Sequence, residues 1–376
     1  MVNVQSNLDL ASAITKNYVL CDRCLSRQLS LAKRAPKKHS AKTSEACYIC
    51  RGLMNNIDEL LTLVLNALKE YQFNTFLIGA ILPTQMLERE DEVRARFKIK
   101  GTESIKSDLT RELGKLLGSE TSKTVDYRRP DVIINVVVAS KQVKARSRAI
   151  YLFGRYVKNV RGLSQKQERC NVCKGKGCMQ CDNTGLSGFD SVEGIIVKKL
   201  IDSFRCDSAK FAWVGGEDKD SLVLDEGRPF FVKIINPRSR FTAPKDMNLD
   251  KGVQARFIKE VERLPDKPLK FKVKTKLTIE CENNIDDSAL EKLKRLENSS
   301  VKFLGKNSRE VSKNIHEFNV NASKNMLEVL MLADGGLTIK QFVGGDGMEP
   351  SISQLVGCKA TCKSFDVLSV QFAEQV

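Results

Sequence analysis

Histidine is almost missing from this chain: His39 and His316 are the two among 376 residues. That scarcity argues against chemistry built on imidazole and leaves cysteine as the residue type able to ligate zinc. Long apolar runs are missing as well. No stretch approaches the roughly 20 apolar residues that a membrane helix needs. The first twenty residues are polar, broken by Asn and Lys, and lack the apolar core of a secretory signal. A soluble, intracellular, cytoplasmic protein is expected, and there paired cysteines point to metal rather than to disulfides. Low-complexity and collagen-like tracts are also lacking, and 41% hydrophobic with 29% charged residues is ordinary globular composition. A chain of this length is expected to form two or three domains.

Positive charge is what the chain has in excess. Lys and Arg number 62 against 46 Asp and Glu, a net charge of +16. The excess is clustered: residues 141–182 hold eleven Lys/Arg and two acids, and the first 51 residues hold nine against three. A stripe of cations displaces condensed counterions from a phosphate backbone, so a polyanionic partner is expected.

Two cysteine quartets stand out. Cys21-x2-Cys24 and Cys47-x2-Cys50 are separated by 22 residues, whereas Cys170-x2-Cys173 and Cys178-x2-Cys181 lie only four apart. Each quartet offers four thiolates as two C-x2-C pairs, enough to close a tetrahedral zinc site with no open position for water. Both are therefore read as structural. The first would staple a basic surface holding Arg23, Arg27, Lys33, Arg34, Lys37 and Lys38. In the second, Gly175 and Gly177 permit the tight reversal that so short a link demands.

Helical periodicity over 55–71 and 104–117, with apolar strands at 73–82, 132–138 and 150–156, predicts a small α/β domain from 53 to 160. Its last strand runs into Arg155, Lys158, Arg161 and Lys166, interleaved with Tyr151, Phe153 and Tyr156. Cations hold phosphates and rings stack on unpaired bases, so these residues are expected to contact RNA. After the second quartet comes a helix at 190–204. Strands are predicted at 211–214, 230–235, 269–279, 327–332 and 365–370, and a helix opened by a capping box, Ser288 to Glu291. Leu269 to Ile279 alternates apolar residues with Lys270, Lys272, Lys274 and Lys276. This half reads as α+β around a mixed, mostly antiparallel sheet. Between two of its apolar runs lies Gly215-Gly-Glu-Asp-Lys-Asp220, with Arg228-Pro-Phe230 shortly after. An acidic loop inside a chain built to attract anions is read as a catalytic feature, with Asp218 as nucleophile.

The order of these features resembles the archaeal tRNA pseudouridine synthases of the Pus-ten type. The matching phrases are Cys21-x2-Cys24, Val125-Asp-Tyr-Arg-Arg-Pro-Asp131, Tyr151 to Arg161, Cys170 to Cys181, Gly215 to Asp220, Gly227-Arg-Pro-Phe230, Gly336-Leu-Thr-Ile-Lys340 and Phe365 to Val370. The resemblance spans essentially the whole chain. It implies a multidomain α+β protein: a cysteine-knuckle segment at 1–52, a THUMP-type RNA-binding domain at 53–160, a second knuckle at 161–185 and a mixed-sheet pseudouridine synthase domain at 186–376. The implied partner is tRNA, at T-loop uridines 54 and 55 in tRNA numbering. The implied chemistry breaks the uracil glycosidic bond and rejoins the base through C5, with a carboxylate nucleophile and no catalytic cofactor. Arg155, Lys158, Arg161, Arg228, Lys276, Thr338 and Lys340 are the implied substrate-binding residues.

Three positions depart from the family pattern. Gly216 stands where the family has arginine, with Arg228 and Lys219 as candidates to replace it. Thr338 stands at one family tyrosine, and Lys276 aligns with another. The alternative reading is a non-catalytic, zinc-stapled tRNA-binding protein or RNA chaperone. A methyltransferase or thiouridylase would need a phosphate- or cofactor-cradling loop, and Gly344-Gly-Asp-Gly347 lacks the strand-turn-helix setting.

Overall fold

The computed structural model describes residues 4–29, 46–240, 246–305 and 309–372. Lys33, Arg34, Lys37 and Lys38 of the expected basic surface lie outside them. The chain divides into two compact units, residues 1–148 and 149–376. Among the described residues no helix is long and apolar enough to cross a membrane.

The first unit runs α1 (Val4–Asn17), α2 (Asp22–Gln28), α3 (Ile57–Leu68), β1 (Thr75–Ile81), α4 (Thr84–Arg96), α5 (Ile105–Thr121), β2 (Thr124–Val125), β3 (Val132–Val137) and β4 (Gln142–Ser147). The sheet order is β2-β1-β3-β4, with β1 parallel to β2 and β3, and β4 antiparallel. Phe76, Ile78 and Ala80 on β1 and Val132, Ile134 and Val136 on β3 face one core. Leu60, Leu61, Val64 and Leu68 of α3 and Leu109, Leu113 and Leu117 of α5 close over it. Spacing of three and four puts each set on one helix face. Ser104 starts α5 by accepting from the Ser107 amide, and Ser122 ends it in the left-handed region.

Helix α4 escaped the periodicity reading because its buried stripe, Met86, Glu90 and Val93, contains an acid. Glu90 is 2% exposed and pairs with Arg27, which is fully buried, at 2.8 Å. Arg27 also reaches Asp108 at 3.3 Å, Arg23 meets Asp108 at 2.7 Å, and Glu90 accepts from the Ile105 amide. Arg23 and Arg27 therefore do not form a basic surface. They bolt α2, which carries two cysteines of the first quartet, to α4 and α5.

The second unit contains β5 (Ile150–Lys158), α6 (Val192–Phe204), β6 (Ser208–Trp213), β7 (Val223–Ile235), β8 (Asp246–Asn248), β9 (Val253–Glu260) and β10 (Phe271–Cys281). It continues through α7 (Asp287–Lys294), β11 (Ser299–Leu304), β12 (Glu310–Ser323), β13 (Met326–Asp334), α8 (Ile339–Gly344), β14 (Met348–Glu349), α9 (Ile352–Val356) and β15 (Ala360–Phe372). Eleven strands form one sheet in the order β14-β11-β12-β13-β10-β15-β7-β5-β9-β8, with β6 also on β7. Strand β5, expected to close the RNA-binding domain at 160, is instead an inner strand here, paired with β7 and β9. The reason is packing: Leu152, Phe153 and Tyr156 are buried, and a Cβ at Gly154 would lie 2.7 Å from the Arg256 carbonyl. The second cysteine quartet thus lies inside this unit rather than between domains.

Leu277 and Ile279 of β10 lie fully buried in one core with Leu293, Phe342, Val343 and Ile352 from α7, α8 and α9. The expected capping box at Ser288 does not cap α7. Asp286 does, accepting from the Ala289 amide at 2.7 Å. Strand β12 was not visible as an alternation because a register shift between Ile315 and Glu317 breaks its period.

Removing one member of a buried ion pair strands the other charge in the interior, at a cost of about 3–5 kcal/mol. Glu90→Ala should therefore destabilise the first unit by that amount in urea unfolding of the full chain. A loss below about 1 kcal/mol, the value of an exposed pair, would contradict the buried network.

Candidate active site

The loop from Val214 to Leu222 joins β6 to β7, two strands paired from Trp213↔Phe230 to Ser208↔Ile235. Gly215 opens it with φ +74°, and a Cβ there would lie 2.6 Å from the Arg228 guanidinium and 2.9 Å from the Phe271 ring. Only glycine fits so close an approach in that conformation. Glu217 then turns inward and is fully buried. Its carboxylate meets Arg228 Nε at 2.8 Å and accepts from the Tyr156 hydroxyl at 2.7 Å. Arg228 donates again to the Val214 carbonyl, and Gln165 donates to the Tyr156 oxygen.

Asp218 turns the other way, toward a cleft of about 580 Å³ bounded by β10, β13, β15 and the Gly335–Lys340 turn. A cleft of this size accommodates a small ligand or one nucleotide. The Asp218 side chain is 43% exposed and its Oδ2 lies 2.6 Å from Lys340 Nζ. The hydrogen bond with Asp218 holds the Lys340 ammonium above its usual range. Thr338 lines the same cleft at the start of α8. The site thus combines the Asp218 carboxylate, an ammonium across from it, a second carboxylate, Asp334, engaged by His316 at 2.9 Å, and an apolar wall from Phe271, Val273, Met331 and Phe365.

Among the expected substrate-binding residues, Thr338 and Lys340 gather with Asp218 at the cleft, and Arg228 reaches its wall from below. Arg228, expected as a candidate partner of Asp218, pairs with Glu217 instead, and the ammonium beside Asp218 is that of Lys340. Lys276 is on the other face of β10, half exposed, 3.8 Å from Glu328, because side chains alternate across a strand and Thr275 takes the cleft side. Lys158 is fully buried and faces carbonyls, not solvent. Arg155 donates to the carbonyls of Gly227 and Val370, and burial lowers its pKa. Arg161, 42% exposed, forks onto Asp366 at 2.8 Å and reaches the Asp220 carbonyl. Of the four cations on that stretch, Arg161 and Lys166 are exposed, Arg155 is part-buried and Lys158 is buried.

Two residues were missed. Glu217 reads as one more acid in an acidic turn until its burial is seen. Phe271 is the ring at the cleft, five positions before Lys276: a Cβ on Gly335 would fall 2.3 Å from it, and the Gly335 amide donates to its carbonyl at 2.7 Å. Two glycines, Gly215 and Gly335, leave the space this ring occupies. A Gly-Gly pair following an apolar strand was the available signal.

Both cysteine quartets converge, the sulfurs of each lying within 4.8 Å of one another. Zinc–sulfur bonds of about 2.3 Å at tetrahedral angles require sulfurs roughly 3.8 Å apart. Cys21–Cys50 at 3.7 Å, Cys170–Cys178 at 3.9 Å and Cys173–Cys181 at 3.8 Å meet that spacing. In the second quartet Cys170–Gly177 and Cys178–Gly185 form an eight-residue tandem repeat, C-x2-C-x-[GN]-x-G. Positive φ recurs at Lys174 and Asp182, Gly175 and Asn183, and Gly177 and Gly185. Each half aims an amide at its second cysteine, Gly177 at Cys173 and Gly185 at Cys181. Arg27 donates to Cys24 in the first quartet. Donors directed at sulfur suit metal thiolates, and both sites can hold a metal.

A family model described as Pus10, C-terminal, matches residues 151–371, and one described as Pus10 THUMP domain, archaeal, matches residues 61–136. The first begins at β5, in agreement with the division of the chain. The "tRNA pseudouridine synthase Pus10" of Nitrosopumilus maritimus is 38% identical over 99% of this chain and 100% of its own length. The protein of the same name from Cenarchaeum symbiosum is 34% identical over 93% and 89%. Among solved structures, an archaeal box H/ACA sRNP Nop10–Cbf5 complex matches at 9% identity and TM-score 0.30 over 57% of this chain and 56% of that one, too distant to bear on function. The first unit thus contains a THUMP domain and the second matches the Pus10 C-terminal domain. The chain belongs to the Pus10 family of tRNA pseudouridine synthases.

A methyl group at residue 335 has no room beside Phe271. Gly335→Ala should expel the ring and lower turnover of the family reaction by roughly tenfold or more, the value of one lost stacking contact. Wild-type turnover in this variant would show that the ring is not needed.

Proposed function

We propose that the chain is a cytoplasmic tRNA pseudouridine synthase that isomerises T-loop uridines 54 and 55 through Asp218. The observation that carries this reading is the division of labour in the acidic loop. Glu217 is consumed by Arg228 and Tyr156, whereas Asp218 opens on the cleft beside Lys340. The uridine must leave its stack to reach a carboxylate at the base of a cleft. Phe271 offers a face on which the extruded uracil can stack. Asp218 attacks the ribose C1′ or uracil C6 as nucleophile. The N1–C1′ bond breaks, the base turns, C5 bonds to C1′ and the bond to Asp218 breaks to return its carboxylate, while the hydrogen on C5 leaves to solvent as N1 gains one. Lys340 orients the carboxylate and sets positive charge where the reacting base arrives. Thr338 stands beside it on the cleft wall.

The two quartets fit structural zinc. Cys21, Cys24, Cys47 and Cys50 would hold one ion, and Cys170, Cys173, Cys178 and Cys181 the other. Bound zinc would cross-link each pair of knuckles and take no part in the reaction. Arg161 offers a cation to the RNA backbone at the edge of the site.

Tritium release from tRNA labelled at uracil C5 tests the reaction. Wild type should release tritium and Asp218→Asn should not; equal release from both removes Asp218 as nucleophile. No release from wild type favours a binding protein. Elemental analysis should find about two zinc ions per chain, with Cys24→Ser and Cys181→Ser each losing one. A wild-type value near one removes one of the two sites.

A further inference from the structure

Beneath the acidic loop lies a lysine whose expected role in RNA contact does not match its surroundings. Lys158 is fully buried, and its ammonium donates to the carbonyls of Leu163 at 2.8 Å, Asp218 at 3.2 Å and Lys219 at 3.2 Å. Glu217 lies 4.0 Å away and is its nearest acid. Burial lowers the Lys158 pKa, while Glu217 and Asp220 oppose that shift. Burying an ammonium is costly unless every proton finds an acceptor, and here each of the three does.

The acceptors are what make the arrangement informative. Two of the three belong to the loop, one of them the carbonyl of Asp218 itself, which also accepts from the Ser221 amide at 3.1 Å. Tyr156, two residues earlier on β5, holds Glu217 from the same strand face. Gln165 reaches the Tyr156 oxygen from the segment after β5. With the Glu217 side chain and the Asp218 carbonyl both drawn inward, the Asp218 side chain is left the cleft side alone.

We propose that Lys158 is a positioning residue: it fixes the backbone of Asp218 so that the carboxylate stands in the cleft at the place of attack. The proposal rests on the reading of Asp218 as nucleophile. A misplacement of about 1 Å can cost on the order of 100-fold in rate without altering remote substrate contacts. Lys158→Met keeps the stem and removes the donors. It should lower kcat by about 100-fold while the KM for tRNA stays within about threefold, the pattern of a lost transition-state geometry. Amides of residues 215–221 should exchange hydrogen faster than in wild type. The Glu217–Arg228 pair at 2.8 Å stays intact in this variant, so the fold should persist with a lowered melting temperature.

A raised KM with unchanged kcat would overturn the proposal by placing Lys158 against RNA. Wild-type kcat in Lys158→Met, or unchanged exchange in the loop, would overturn it as well. If Asp218→Asn retains turnover, the nucleophile reading fails separately, and loop exchange in Lys158→Met still decides whether Lys158 holds the loop.

Discussion

A buried carboxylate facing a buried guanidinium sets the terms for the catalytic half. Glu217 and Arg228 meet at 2.8 Å with 0% and 2% of their side chains exposed. Neither charge can stay in the interior without the other. The pair ties the start of the acidic loop to β7, and β7 is hydrogen-bonded to β5, β6 and β15. Tyr156 and Gln165 add hydrogen bonds from β5 and the segment beyond it. The loop is therefore a rigid shelf although its composition reads as a turn. Rigidity there has a chemical use, because a nucleophile gains most from being held where the reacting atom will be.

The same logic appears in the first unit. Arg27, Glu90 and Asp108 form a buried ionic cluster, and Arg27 also donates to Cys24. Burying these groups brings the thiol-bearing helix into contact with two helices of the sheet domain at a fixed angle. A metal in the first quartet would then cross-link elements already aligned by charge. In the second quartet, order comes instead from backbone geometry, with positive φ recurring at equivalent positions of a tandem repeat. One kind of ligand set is thus supported in two different ways.

Much of the architecture was legible because periodicity reports burial. The α3, α5 and α6 faces, the apolar runs of β1 and β3 and the alternation of β10 from Thr275 onward appear in the chain as they appear in the fold. Illegible elements carried charge on their inner faces or broke their period, as α4 does at Glu90 and β12 at its register shift. The candidate site divides the same way. The sulfurs of each cysteine quartet gather, and Thr338 and Lys340 lie at the cleft with Asp218. Arg155, Lys158 and Arg228 looked like RNA contacts because a cation in sequence carries no mark of whether it is buried. Arg155 donates to carbonyls of β7 and β15, 72 and 215 residues away, Lys158 to the acidic loop 60 residues away, and Arg228 to Glu217 of that loop. Lys276 was misplaced by a simpler cause, one step in a period of two.

An arginine at position 216 would answer Asp218 from its own loop, so that carboxylate and counter-charge would move together. Lys340 answers it from α8 across the cleft. That arrangement works only if α8 and the loop keep their separation, and several strands enforce it. The Gly335 amide fastens the β13 end to Phe271 of β10, while β10 pairs with β15 and β15 with β7, at which the loop ends. The Phe271 ring, set between Gly215 and Gly335, fills the space between the two sides. The pairing of carboxylate and ammonium is therefore carried by the sheet as a whole, and a change in Phe271 or Gly335 would act on Asp218 without touching it.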